Sequence, residues 1–135
     1  MRTTSDVESI LYEHIKGSAL DLACNGGIWP GDRADGSELE DIVINSIAIT
    51  SGTIQYAVAN VNIYVKDVAV PGSSNHNIKD SGRIKVLSDL AVTLLEEIRG
   101  DYYDFWFESQ GVFQESAIGQ HYINFRIDFT FYNLD

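Results

Sequence analysis

The chain has 135 residues, 44% of them hydrophobic and 21% charged, with 20 Asp+Glu against 9 Lys+Arg for a formal net charge of −11. That is enough chain for one hydrophobic core and too much apolar content for disorder, while the shortage of Lys and Arg argues against direct nucleic-acid binding and against docking on an anionic membrane. Cys24 stands alone, which excludes an intramolecular disulfide and any CxxC metal or redox pair; the residue reads as a small, partly buried side chain. Met1 to Val7 is polar and lacks the apolar run of a signal peptide, and no apolar stretch approaches the ~20 residues of a membrane span, so a cytoplasmic location is expected.

Ser5 to Lys16 predicts a helix, with Ser5 or Thr4 as N-cap. Asp6 and Glu8 sit at its positive end, and Val7, Ile10, Leu11, His14 and Ile15 share one face. Gly17 and Ser18 end it. Asn25 to Asp32 is rich in turn formers and reads as a short extended piece around Ile28 and Trp29, followed by an exposed loop over residues 33–38. Ile42 to Ile49 predicts a strand dense in β-branched residues. After Ser51-Gly52, the run from Ile54 to Val65 alternates with a period of two.

Asp67 to Asn77 reads as an exposed loop, and a long helix is predicted from about Ile78 to Arg99. Its buried stripe is Ile84, Leu87, Leu90, Ala91, Leu94, Leu95 and Ile98, with Gly100 as the stop. The last third predicts a hairpin of Tyr102–Phe113 and His121–Tyr132. In its second strand Ile123, Phe125, Ile127, Phe129 and Phe131 share one face, with Tyr122, Asn124, Arg126, Asp128 and Thr130 on the other. A slip of one residue would bury Arg126 and Asp128, so the register is well determined. The order α-β-β-β-α-β-β, over residues 1–135 as a single domain, implies an α+β fold: a two-layer sandwich with two helices on one face of a mainly antiparallel sheet.

The usual signatures of catalysis are missing. His14, His76 and His121 form no HxH, HExxH or HxxxH pattern, so no metal site is indicated. Asn25-Gly26-Gly27 has no Walker lysine, no GxSxG elbow occurs, and Asp32 with Asp35 lacks the rest of a calcium loop. Glu38, Glu40 and Asp41 read as solvated loop carboxylates, and Glu96 and Glu97 as solvated ends of the long helix. The expectation is a protein without catalytic residues or cofactors. The competing reading is a small-molecule-binding or hydrolytic domain using His14, His121 and nearby carboxylates. It requires those histidines to converge in one pocket.

What stands out is aromatic density. In residues 102–107, Tyr103, Phe105 and Phe107 fall opposite Tyr102 and Trp106, and a strand apolar on both faces is covered on both, by its own domain or by a partner. The element order resembles that of a known family. So do the phrases Gly27-Ile28-Trp29-Pro30-Gly31-Asp32-Arg33, Glu40-Asp41-Ile42-Val43-Ile44, Val61-Asn62-Ile63-Tyr64-Val65 and Tyr122-Ile123-Asn124-Phe125-Arg126-Ile127. The chain resembles the tail-terminator, or tail-completion (neck), proteins of long-tailed bacteriophages and prophages. The resemblance implies a structural virion-assembly protein, made in the bacterial cytoplasm and carried in the virion. It implies a hexameric homo-oligomeric ring that caps the tail tube and joins it to the head-side connector, without catalysis. Tyr103, Phe105, Trp106, Phe107, Asp32 and Arg33 are the expected subunit contacts, and the loops over residues 32–38 and 71–77 are expected to make inter-subunit or head-side contacts.

Overall fold

The computed structural model describes residues 1–133. Among these residues, three helices and six strands form an α+β fold. Helix α1 spans Thr4–Ile15 and begins one residue before its expected start. The Asp6 carboxylate explains the shift, accepting from the Thr3 backbone N at 2.7 Å and from Thr3 Oγ1 at 3.2 Å, so the first turn closes on Thr3. A second, short helix, α2 (Ala19–Ala23), was not expected. Gly17, at φ 76°, does break the chain direction, but Ser18 then caps a new turn by accepting from the Asp21 N–H. Strands β1 (Ile28–Pro30), β2 (Ile42–Ile49) and β3 (Ile54–Lys66) follow, and β2 and β3 match the sequence expectation to within a residue.

Helix α3 covers Ser81–Leu95, shorter than the expected 78–99 at both ends. Asp80 caps its start by accepting from the Arg83 N–H at 3.2 Å. Glu96 and Glu97 oppose the negative end of a helix dipole, so extension there is disfavoured. The chain instead forms β4 (Glu97–Arg99), and Ile98, expected on the helix stripe, pairs opposite Phe105. Gly100 donates to the Tyr103 carbonyl in the turn to the next strand rather than ending a helix. Strands β5 (Tyr103–Glu115) and β6 (Gln120–Tyr132) form the long hairpin, joined by a 3-10 turn over Ser116–Ile118 and by Gly119 at φ 64°. Gly111 stays inside β5, and the irregularity falls between Phe107 and Ser109.

The sheet order is β1-β2-β3-β6-β5-β4, antiparallel except for the β1–β2 pair. One core joins Val7, Leu11, Ile15, Ile84, Leu87, Ala91 and Leu95 of the helices to one face of the sheet. That face carries Ala57 to Val65 at alternate positions of β3, and the five β6 residues Ile123, Phe125, Ile127, Phe129 and Phe131. The alternation in β6 therefore assigns its faces as expected.

The segment linking the helices to β2 is held by buried charge, against the expectation of solvated carboxylates. Asp41, its side chain 2% exposed, pairs with Arg33 Nε at 3.0 Å. It also accepts from Ser37 Oγ at 2.6 Å, the Gly27 N–H at 3.0 Å and Trp29 Nε1 at 3.0 Å. Glu40 takes a two-pronged bond from Arg83, with Nε at 2.6 Å and Nη2 at 2.8 Å, while the same guanidinium donates to the Ala23 carbonyl. The glycines before β1 are thus a cradle for an internal carboxylate. A Cβ on Gly26 would lie 2.4 Å from Asp41 Oδ1 and 2.6 Å from the Glu40 carbonyl carbon.

Burial by itself raises the Asp41 pKa, but the Ser37, Gly27 and Trp29 bonds and the Arg33 charge outweigh it and hold the carboxyl below its ordinary value. The Arg83 hydrogen bond is the main cause that lowers Glu40. A carboxyl depressed in the folded state contributes stability that is complete above its unfolded pKa and lost as pH falls through the folded value. Urea unfolding should therefore show a falling midpoint as pH drops below ~4. Arg33→Met, which strands the Asp41 charge, should lower stability by ~3 kcal/mol or more and make the acid dependence shallower. An unchanged midpoint in Arg33→Met would remove the pair from the account of the fold. Gly26→Ala should cost roughly 2–3 kcal/mol in the same assay, because the methyl group meets backbone that cannot withdraw.

Candidate interaction surface

The face of the sheet turned away from the helices is built from the even-numbered residues of β3 and β6 and their neighbours. Its centre is polar: Asn124 Nδ2 donates to Asn62 Oδ1 at 2.7 Å and to Asn60 Oδ1 at 3.2 Å, and Asn45 pairs beside Asn60. Toward the hairpin turn the face is aromatic. Tyr122 lies between Tyr64 and Phe113, with ring centroids 5.4 and 5.5 Å away, and the Arg33 guanidinium lies 4.0 Å from the Tyr64 ring centroid. At the opposite end one row crosses the sheet as Ala48, Val58, Asp128, Trp106 and Glu97, with Tyr56, Thr130 and Asp104 in the next row.

This last region exposes large apolar side chains, and Phe113 is exposed at the other end. Tyr56 is 59% and Trp106 39% exposed. Trp106 stands between two depressions, one of about 280 Å³ shared with Tyr56, Val58, Asp128 and Thr130, the other of about 590 Å³ reaching Arg99, Asp104 and Tyr132. Asp128 sits among these apolar side chains with its pKa raised, by burial first and then by the neighbouring Glu108 charge. Arg126 pairs with Glu108 at 3.4 Å rather than with Asp128.

The expected contact residues separate on this framework. Trp106 faces out. Phe105 is 0% exposed, at the centre of the core, so it offers no surface to a neighbour. Tyr103 and Phe107 are half-buried on the helix side, Tyr103 packed against Phe105, Phe129 and Phe131 and Phe107 against Phe125. The outer face of β5 is therefore less apolar than its composition suggested: beside Trp106 it carries the buried Asp104, then Ser109, Gly111 and Phe113. Arg33, only 13% exposed in its side chain, is committed to Asp41, Ser37, Gln120 and Tyr64, while Asp32 is exposed beside it.

The histidines do not come together. His14 Nε2 donates to the Leu94 carbonyl at 2.8 Å, and its ring meets the edge of Phe105. His121 Nδ1 shares a hydrogen bond with the Asp67 carboxylate. Phe105 pairs with Phe129, eight residues along β6 from His121, which separates the two sites by about 26 Å at ~3.3 Å per residue. His76 lies in the exposed loop. Burial, then the Glu40 charge, pushes the Cys24 thiol up to about 12, far from a ready nucleophile. Among the described residues no group of three His, Cys, Asp or Glu side chains is placed to hold a metal ion, and no helix is long and apolar enough to cross a membrane.

No protein-family model matches the chain, and no curated protein matches its sequence. The geometry therefore carries the functional reading. It presents aromatic and amide groups on a broad strand-built surface.

Asp128 is the residue whose charge opposes that surface. A carboxyl raised in the folded state weakens stability when ionised, and the deficit disappears as pH falls below its unfolded pKa. Asp128→Asn should raise the thermal midpoint at neutral pH and lose that advantage in acid. A lower midpoint at neutral pH would mean that its charge supports the sheet.

Proposed function

We propose that the protein is a structural virion-assembly subunit of the tail-terminator kind, forming a homo-oligomeric ring that caps a tail tube and meets the head-side connector. The observation that carries this reading is the Trp106 surface. A tryptophan more than a third exposed, flanked by two depressions on a sheet face with no helix over it, suits burial by a neighbouring protein. The order of elements supports the family reading, with α1 and α2 ahead of a three-strand run, then α3, then the long hairpin. Assembly would place the protein in the bacterial cytoplasm first and in the virion afterwards.

A net charge of −11 bears on the mechanism. Like-charged subunits repel beyond contact range, so salt that shortens this repulsion favours association. The same charge around a lumen would let DNA pass without being gripped, since binding would need phosphate-neutralising cations, and this chain has only 9 Lys+Arg.

Light scattering after size exclusion, across a range of salt and protein concentration, should show association that strengthens with salt, with closed rings in negative-stain images. Trp106→Asp should abolish association and keep the native circular dichroism, because its side chain lies outside the core. Tyr103→Asp should unfold the protein, because that ring packs on Phe105 and Phe129. A strict monomer under every condition, with no rings, would end this reading.

A further inference from the structure

The two flanking strands of the sheet are too short to cover their neighbours. β1 pairs only with Ile42–Ile44 of β2, and β4 only with Asp104–Trp106 of β5. That leaves two edges unpaired among the described residues: 45–49 on β2 and 107–115 on β5. A free edge is a row of backbone donors and acceptors, and folded proteins block such rows with Lys, Pro or charge. In the free stretch of β5 the only charges are Glu108, at the irregularity beside Phe107, and Glu115, at its far end. Asn45 to Ile49 carries no charge, nor does the stretch Ser109 to Gln114, in a chain of net charge −11.

We infer that the β5 edge of one copy pairs with the β2 edge of the next, joining the sheets of successive subunits head to tail. This rests on the self-assembly reading above and names the surfaces that a ring would use. Three features select a second copy as the occupant. First, a ring needs two different, complementary patches on one molecule, and the two edges lie on opposite sides of the same sheet. Second, three antiparallel steps separate β2 from β5, so the strands run in opposite directions. A copy set beside another in the same orientation then pairs antiparallel. Third, Asn45 to Ile49 carries no carboxylate to face Glu108 and Glu115, and Ser109 to Gln114 between them is uncharged, so the approach brings no like charges face to face in an acidic protein.

The edges are also offset along the strands. Ser46 is level with Ala59, Ile127 and Phe107, and the free part of β5 extends from that level in one direction while most of the free part of β2 extends in the other. Gly111, the middle of the β5 edge, is level with Val43, four residues from Ile47, an offset of about 13 Å at ~3.3 Å per residue. Pairing therefore steps each subunit along its strands relative to the last. A stagger of that kind accompanies strand tilt whenever a sheet closes on itself.

Cross-linking tests this in the full-length protein under conditions where it associates. Ser109→Cys and Ala48→Cys place thiols on exposed positions of the two edges, and a short bismaleimide spans small differences in register. Cys24, half-buried and with its thiol pushed up to about 12, stays unreactive at neutral pH, and Cys24→Ser serves as the background control. The double variant should give a ladder of two, three and more chains. A mixture of the two single variants should stop at dimers, and neither single variant alone should cross-link. Dimers from Ser109→Cys alone would mean β5 pairs with β5 and would overturn the head-to-tail contact. Association by light scattering without any cross-link would overturn it too, leaving the self-assembly reading in place. Absence of both association and cross-links would remove the two together.

Discussion

A buried carboxylate holds this fold together. Asp41 has four donors around it, from Arg33, Ser37, Gly27 and Trp29, and almost no contact with water. A buried charge is tolerated only when its partners are all in place, so the whole segment from Gly27 to Asp41 must adopt one conformation. That conformation lays β1 against β2 and starts β2 in register with β3, where the Tyr64 N–H bonds to the Asp41 carbonyl. Arg33 extends the same network across the sheet, to Gln120 at the start of β6 and to the ring of Tyr64. Glu40 and Arg83 tie the segment to α3 and, through the Ala23 carbonyl, to α2. The loop is thereby a keystone between the helices and both long strands of the sheet centre.

The two faces of that sheet obey different chemistry. The helix-side face is filled by large apolar side chains, with Phe105, Phe125, Phe129 and Phe131 fully buried. The opposite face, on which none of the described helices packs in the core, carries amides, tyrosines and Trp106. Hydrogen bonds among Asn60, Asn62 and Asn124 satisfy the middle of the face internally. What stays unsatisfied lies at its rims: Trp106 and Tyr56 at one end, and the uncovered edges of β5 and β2. The proposed subunit association would use both the exposed aromatic surface and the two free edges. The low basic content and the separated histidines fit the same role.

Much of the fold was legible in the sequence because it rests on period and on local chemistry. Strand β2 followed from its density of β-branched residues, and β3, β6 and the burial of alternate β6 residues from alternation, since the wrong parity in β6 would bury Arg126 and Asp128. The errors fell where a distant partner decides. Glu40 and Asp41 read as solvated, because nothing local reveals that Arg83 and Arg33 will reach them. Ile98 fits a helical stripe equally well, and only pairing with Phe105 makes it a strand. Phe105, Trp106 and Phe107 are adjacent aromatics whose fates depend on which side of the sheet the helices occupy.

By itself the sequence determined the class of the fold, the apolar face of each long element and the acidic, cation-poor character of the surface. Those properties depend on residue type and spacing, which are local. Tertiary structure alone decided that the glycine-rich segment cradles a carboxylate, that Trp106 faces outward while Phe105 does not, and that β5 and β2 keep unpaired edges. Each of these depends on which groups meet across the fold, and a charge, an aromatic ring or a strand edge acquires its role only from the partner it finds or lacks there.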